Sequence, residues 1–260
     1  MIVRCKQPRN PRSQFLRNYH GVYLGWLADT MTNLSRNVFI TGGTGYMGRH
    51  LIPRLLERNH TVRALVRPGS AAKLPRGCTP VVGNALEMNS YVKNVRPADT
   101  FVQLVGVSHP SPAKAAEFRT VDLTAGREAV SAAVATGISH FIYVSVAQPA
   151  PVMKAYIAVR AECEDFIAHN HLNATVLRPW YVLGPGHYWP YTLKPAYWLL
   201  ELFPPTREKA QRLGLVTLEQ MVTTLVNAVE TSPQGMHIWG VPQIRSGGPN
   251  GAPPSSVANP

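Results

Sequence analysis

A doubly wound parallel β-sheet, covered by helices on both faces, is the fold class that this 260-residue chain predicts. Three observations carry that expectation. Short apolar runs alternate with segments of helical spacing, the order that sandwiches a parallel sheet between two helical layers. The runs are apolar almost without interruption, as in Phe101–Val105, which suits strands covered on both sides. The first run also leads through a glycine-rich turn directly into a helix.

Taken in order, Asn37–Thr41 is the first strand and Met47–Arg58 the first helix, with Leu51, Leu55 and Leu56 on its apolar side. Pro53 removes a backbone donor inside that helix and predicts a local kink. Strands follow at Thr61–Val66, Thr79–Val82 and Thr100–Val105. The stretch Glu117–Thr136 places Val121, Ala125, Ala129, Val130 and Ala133 at helical spacing. Strand Phe141–Ser145, helix Lys154–His169 and strand Ala174–Arg178 continue the alternation. Met221–Glu230, preceded by Leu218, is an amphipathic helix, and Ile238–Val241 reads as a short last strand. No internal repeat is visible.

The folded body is expected over residues 34–245, with an N-terminal extension over 1–33 and a disordered tail over 246–260, which is rich in Gly, Pro, Ser and Asn. Residues 1–30 carry five basic side chains against Asp29 alone. A transit peptide has that composition. The reading preferred here is an extension upstream of Met31, which lies just before the first strand. The formal net charge of +12 is otherwise scattered, with no dense basic run interleaved with stacking aromatics, so no nucleic-acid partner is expected. No stretch of about eighteen uninterrupted apolar residues occurs, so no membrane span is expected. Cys5, Cys78 and Cys163 match no metal-ligand spacing, and so sparse a set points to a reducing compartment, hence a cytoplasmic location. A small-molecule substrate, and a monomer or homodimer, complete the expectation.

The run Val38–Gly48 is the strongest chemical signal. Gly42 permits the tight turn after the strand, Gly45 lets backbone approach a pyrophosphate, and Gly48 lets helix and strand pack closely. The helix start then offers free N–H groups and the positive end of its dipole to phosphate. The spacing is Gly-x-x-Gly-x-x-Gly, and with Thr41 in front it resembles the fingerprint of extended and atypical short-chain dehydrogenases/reductases. The likeness continues through Gly137–Ser145, Thr175–Pro179 and Gly184–Gly186. It implies a Rossmann-type domain that binds a nicotinamide cofactor through Gly42, Thr44, Gly45, Tyr46, Met47 and Gly48.

Cofactor choice rests on the end of the second strand. A carboxylate there binds the ribose 2′-hydroxyl of NAD. This chain has Arg67 instead, whose guanidinium suits the 2′-phosphate of NADP, so NADP is expected in preference to NAD. Asn84 and Ala85 stand where the family often has Asp and an apolar residue, and Asn84 has an oxygen to offer the adenine amino group. By the same resemblance, Val105 and Gly106 line the passage of the cofactor past the fourth strand.

Family chemistry uses a serine after the fifth strand and a Tyr-x-x-x-Lys pair on the next helix. Ser145, Tyr156 and Arg160 occupy those positions. The resemblance implies that Tyr156 exchanges a proton with the substrate oxygen, Ser145 holds that oxygen and residue 160 supplies positive charge. Arginine in place of lysine keeps the charge but passes no proton. Arg160 has a competing partner at i,i+4, Glu164. Beyond the sixth strand lie Trp180, Tyr181, Tyr188, Trp189, Tyr191, Tyr197 and Trp198, which suit either an apolar or planar substrate or a small core under the loop. His187 reads as a surface histidine. The activity implied is an NADP-dependent oxidoreductase acting on a small carbonyl or alcohol. The alternatives are a cofactor-binding regulator similar to the NmrA-like redox sensors, without turnover, and a sugar epimerase or dehydratase, against which the short C-terminal region counts.

Overall fold

In a computed structural model, the described residues are 35–185, 212–231 and 233–249. The expected extension, all but the first residues of the expected tail, and Gly186, His187, Tyr188, Trp189, Tyr191, Tyr197 and Trp198 lie outside them. Nine strands are described: β1 Asn37–Thr41, β2 Thr61–Val66, β3 Thr79–Val82, β4 Thr100–Gln103, β5 His140–Val144, β6 Ala174–Leu177, β7 Tyr181–Leu183, β8 Leu215–Thr217 and β9 Met236–Trp239. Seven form one sheet in the order β3-β2-β1-β4-β5-β6-β9, with every pairing parallel. β7 and β8 form a second, two-stranded parallel sheet. The longer helices are α1 Gly48–Glu57, α2 Thr124–Thr136, α3 Lys154–His169 and α4 Leu218–Glu230, followed by the short α5 Val241–Arg245.

The order is the doubly wound one, extended by β9. It reverses direction at β1, whose neighbours are β2 on one side and β4 on the other. A crevice at the carboxyl ends of β1 and β4 follows from that reversal, and ligands of such sheets bind there.

The near-continuous apolar strands divide their side chains between two cores. Phe39, Phe101, Phe141 and Tyr143 face one, shared with Ala129, Ala133, Val159, Cys163 and Ile167 of α2 and α3. Val38, Ile40, Val102 and Ile142 face the other, with Leu51 and Leu55 of α1 and Met221 and Leu225 of α4. The register aligns Phe39 with Phe101 and Phe101 with Phe141. Their rings contact one another in a row, with centroids 5.2 Å and 5.4 Å apart. Burying each such ring contributes about 1.5–3 kcal/mol, so this row anchors the central strands.

Local signals set the helix ends. α1 runs through Pro53 to Glu57 without interruption. Gly137 closes α2 in the left-handed conformation at φ 69°, which a residue without Cβ adopts freely. A reciprocal capping box between Thr217 and Gln220 starts α4. The last strand departs from expectation: it spans Met236–Trp239, and Val241 opens α5 instead of ending the strand. Pro242, at the second position of α5, has no N–H for a ladder but tolerates a helix start. No helix among the described residues is long and apolar enough to cross a membrane.

Candidate functional site: the crevice at the ends of β1, β4 and β5

The turn Gly42–Gly48 is built at backbone level. Gly42 has φ 75°, and a Cβ on it would lie 2.9 Å from the Leu104 carbonyl carbon, so β1 and β4 touch at the crevice floor. A Cβ on Gly48 would lie 2.5 Å from the Gly42 oxygen and 2.6 Å from the Gly43 Cα, so α1 starts directly on the turn. Gly45 differs. It is exposed, and its Cβ would meet only the Gly42 oxygen, at 3.1 Å. Gly45 donates to Gly42 across the turn, at 2.9 Å. The N–H groups of Thr44, Met47 and Gly48 have no acceptor among the described residues, and the Met47 cap position carries no side-chain bond. A helix start left in this state is a phosphate cradle. The arrangement therefore fits the pyrophosphate of a dinucleotide. The Tyr46 ring lies under Arg49, and its hydroxyl stands where a Cβ on Gly184 would collide.

The other residues expected to meet the nucleotide follow the ends of β2, β3 and β4. Arg67 is exposed just past β2. Past β3, the Asn84 side-chain oxygen accepts the Leu86 N–H at 3.1 Å, so it organises its own turn. Ala85 packs on the core beside it. Val105 and Gly106 follow β4; a Cβ on Gly42 would be 3.0 Å from the Val105 nitrogen, and Gly106 lies against Arg160 and Asp122.

The three residues expected to be catalytic, Ser145, Tyr156 and Arg160, converge less. Tyr156, part-buried on the first turns of α3, rests against Phe118 with ring centroids 4.9 Å apart. Arg160, one turn on, is only 6% exposed. Its guanidinium lies 5.0 Å from the centre of the Tyr156 ring. It donates to the Tyr143 hydroxyl at 3.1 Å, to the Val144 carbonyl at 3.0 Å, and to the carboxylate of Asp122. Burial pulls this guanidinium towards neutrality, but Tyr143, Tyr156 and Asp122 hold it protonated, well above its ordinary value. Asp122 is fully buried. Burial raises its carboxyl pKa, against the opposing pull of Arg160 and the Val107 N–H. Tyr143, also fully buried, is pushed up by burial, with Arg160 opposing.

Ser145 points elsewhere. Its hydroxyl donates to the carboxylate of Glu164, which also accepts from Gln148 at 3.1 Å and pairs with Arg178. Glu164 therefore partners Ser145 and Arg178, and Arg160 takes Asp122 in its place. The Tyr156, Arg160 and Glu164 spacing does put all three on one face of α3, as the i, i+4, i+8 pattern implies.

Asp122 is the buried partner of Arg160 that the periodicity missed. It lies in a π-helical turn, Phe118–Leu123, just before α2. Such turns insert one extra residue and concentrate at functional sites. The available signal was an acid set directly between two apolar residues, Val121 and Leu123. The described residues hold no cluster of three metal-ligating side chains.

A family model described as NAD(P)H-binding matches residues 42–186, from the cradle past β7. The chain belongs to the NAD(P)H-binding family. Among curated relatives, a ceramide reductase of Caulobacter vibrioides is 28% identical over 151 residues, covering 57% of this chain and 47% of the reductase. The photosystem II assembly factor Ycf39 of Synechocystis is 26% identical over 144 residues, covering 54% of this chain and 43% of that protein. The chain thus spans about half the length of the curated relatives it matches. The fold is also that of the Bordetella bronchiseptica enzyme WbmH solved with NAD+, at a TM-score of 0.60 and 19% identity, covering 79% of this chain and 76% of that one.

Proposed function

We propose that the chain is an NADP(H)-dependent oxidoreductase of the short-chain dehydrogenase type, acting on a small carbonyl or alcohol. The observation that carries this reading is the cradle: Gly45 is left open, and Thr44, Met47 and Gly48 present N–H groups without acceptors among the described residues, beside a strand end bearing Arg67. Thr44, Met47 and Gly48 would hold the pyrophosphate, and Arg67 would pair with the 2′-phosphate. The bound nicotinamide supplies or accepts the hydride. Tyr156 would give a proton to the substrate oxygen, or take it, because its hydroxyl is committed to no described residue while its ring stacks near Arg160. Arg160 would hold fixed positive charge behind it. Reductases among the relatives support the chemistry.

One observation favours a second reading, a nucleotide-responsive binding protein without turnover. Ser145 is engaged by Glu164 and Arg160 by Asp122, so neither is aimed outward. The assembly factor among the relatives is named for a role other than a reaction. Tyr156→Phe separates the two. Under the enzyme reading, NADPH oxidation with a panel of small ketones and aldehydes falls by a factor of about 10²–10⁴, the usual contribution of a positioned proton donor, with NADPH affinity unchanged. Turnover that survives the substitution removes Tyr156 from the proton step. Binding without turnover in the unmodified protein favours the second reading.

A further inference from the structure

Asp122 stands outside every role assigned above, yet it is the most buried acid in the crevice wall. One carboxylate oxygen accepts from Arg160 of α3. The other accepts the Val107 N–H at 3.0 Å, in the loop that leaves β4. A Cβ on Gly106 would lie 2.5 Å from an Arg160 terminal nitrogen and 2.8 Å from the Asp122 oxygen. The ion pair therefore packs directly against the Gly106 backbone. Phe118, in the same π-helical turn as Asp122, packs on Tyr156. One short turn thus touches the β4 loop, the arginine and the proton-carrying tyrosine.

We propose that Asp122 is a positioning residue for the nicotinamide half of the cofactor, fixing the Gly106–Val107 backbone and the Arg160 guanidinium together. This inference rests on the nucleotide-binding reading above. Its physical content is selectivity between the two halves of the ligand. The cradle lies between β1 and α1 and Arg67 just past β2, whereas the polar partners of Asp122 are Arg160 of α3 and the Val107 N–H past β4. Loss of the Asp122–Arg160 pair releases the floor under Gly106 and leaves the phosphate cradle in place. Asparagine at 122 keeps an oxygen for Val107 but has no negative charge to hold the guanidinium. Lysine at 160 keeps the charge but loses the fork that reaches Asp122, Tyr143 and Val144 at once.

The test measures two ligands on four forms of the full chain: unmodified, Asp122→Asn, Arg160→Lys and the double variant. NADPH reports on both halves of the site, and 2′,5′-ADP, which lacks the nicotinamide half, reports on the cradle and Arg67. Each single substitution is expected to weaken NADPH about tenfold, the worth of a charge-assisted hydrogen bond, and to leave 2′,5′-ADP within about twofold. The double variant is expected to be no weaker than the worse single one, because both changes break one unit. If Asp122→Asn fails to fold, Arg160→Lys and the double variant still give the comparison. Parallel losses for both ligands, tracking thermal stability, would make the pair a structural strut and overturn the proposal, as would unchanged NADPH affinity. An unmodified chain that binds neither ligand defeats the nucleotide-binding reading itself, a result separable from any difference among the variants.

Discussion

Alanine at position 122 is expected to destabilise the fold by about 3–5 kcal/mol, the cost of leaving one member of a buried ion pair without its partner. Arg160 is 6% exposed and Asp122 fully buried, so water cannot replace the lost carboxylate without reorganising the wall. The Tyr143 hydroxyl and Val144 carbonyl remain as acceptors, but neither carries charge. For a body of this size the melting temperature should fall by about 10 °C. Replacing both partners, Asp122→Leu with Arg160→Met, should cost less than Asp122→Ala alone, because no charge is then stranded. Thermal and denaturant unfolding of the three proteins decide the matter. An Asp122→Ala protein as stable as the parent would mean that Arg160 does not depend on its carboxylate.

The glycine turn gives the second large effect, and here stability and binding should separate. Gly48→Ala places a methyl group 2.5–2.7 Å from backbone atoms of Gly42 and Gly43, none of which can rotate away. Such overpacking costs about 1–3 kcal/mol and pushes α1 off the turn, so NADPH binding should be lost with it. Gly45→Ala meets a single oxygen at 3.1 Å on an exposed site. Its cost in stability should stay within about 0.5–1 kcal/mol, the scale of an ordinary surface change. The added methyl nevertheless stands where a pyrophosphate must approach, and NADPH affinity should fall more than about tenfold. Melting curves and titrations of the two variants, side by side, read both quantities. Equal behaviour of the two would remove the distinction between a packing glycine and a ligand-facing one.

How much of this was legible in the residues depends on the range of the interaction. β1, β2, β3, α3 and the run into α2 follow from periodicity, because a strand or helix face is written within a few residues. The cradle was legible for the same reason, since the glycines that form it are near neighbours in sequence. Long-range polar pairing was not. Arg160 had an acid at i,i+4 in Glu164, and local spacing alone made that pair attractive. The fold gives Arg160 a partner 38 positions away and gives Glu164 to Ser145 and Arg178. A π-helical turn turns Asp122 inward, and no 3.6-residue pattern encodes one extra residue in a helix. Position 241 was misplaced for a smaller reason. An apolar run ending at Trp239-Gly240-Val241 looks like a strand until Pro242 is weighed as a helix start.

The central claim is that the crevice holds a phosphorylated dinucleotide. The direct measurement is an equilibrium titration of the chain with NADPH and with NADH, followed by tryptophan fluorescence. Saturable binding of both, with NADPH tighter by about tenfold or more, is the predicted result, since Arg67 adds a charged contact that only the 2′-phosphate can meet. NADH binding as tightly as NADPH would contradict the role given to Arg67. Binding of neither would contradict the account as a whole.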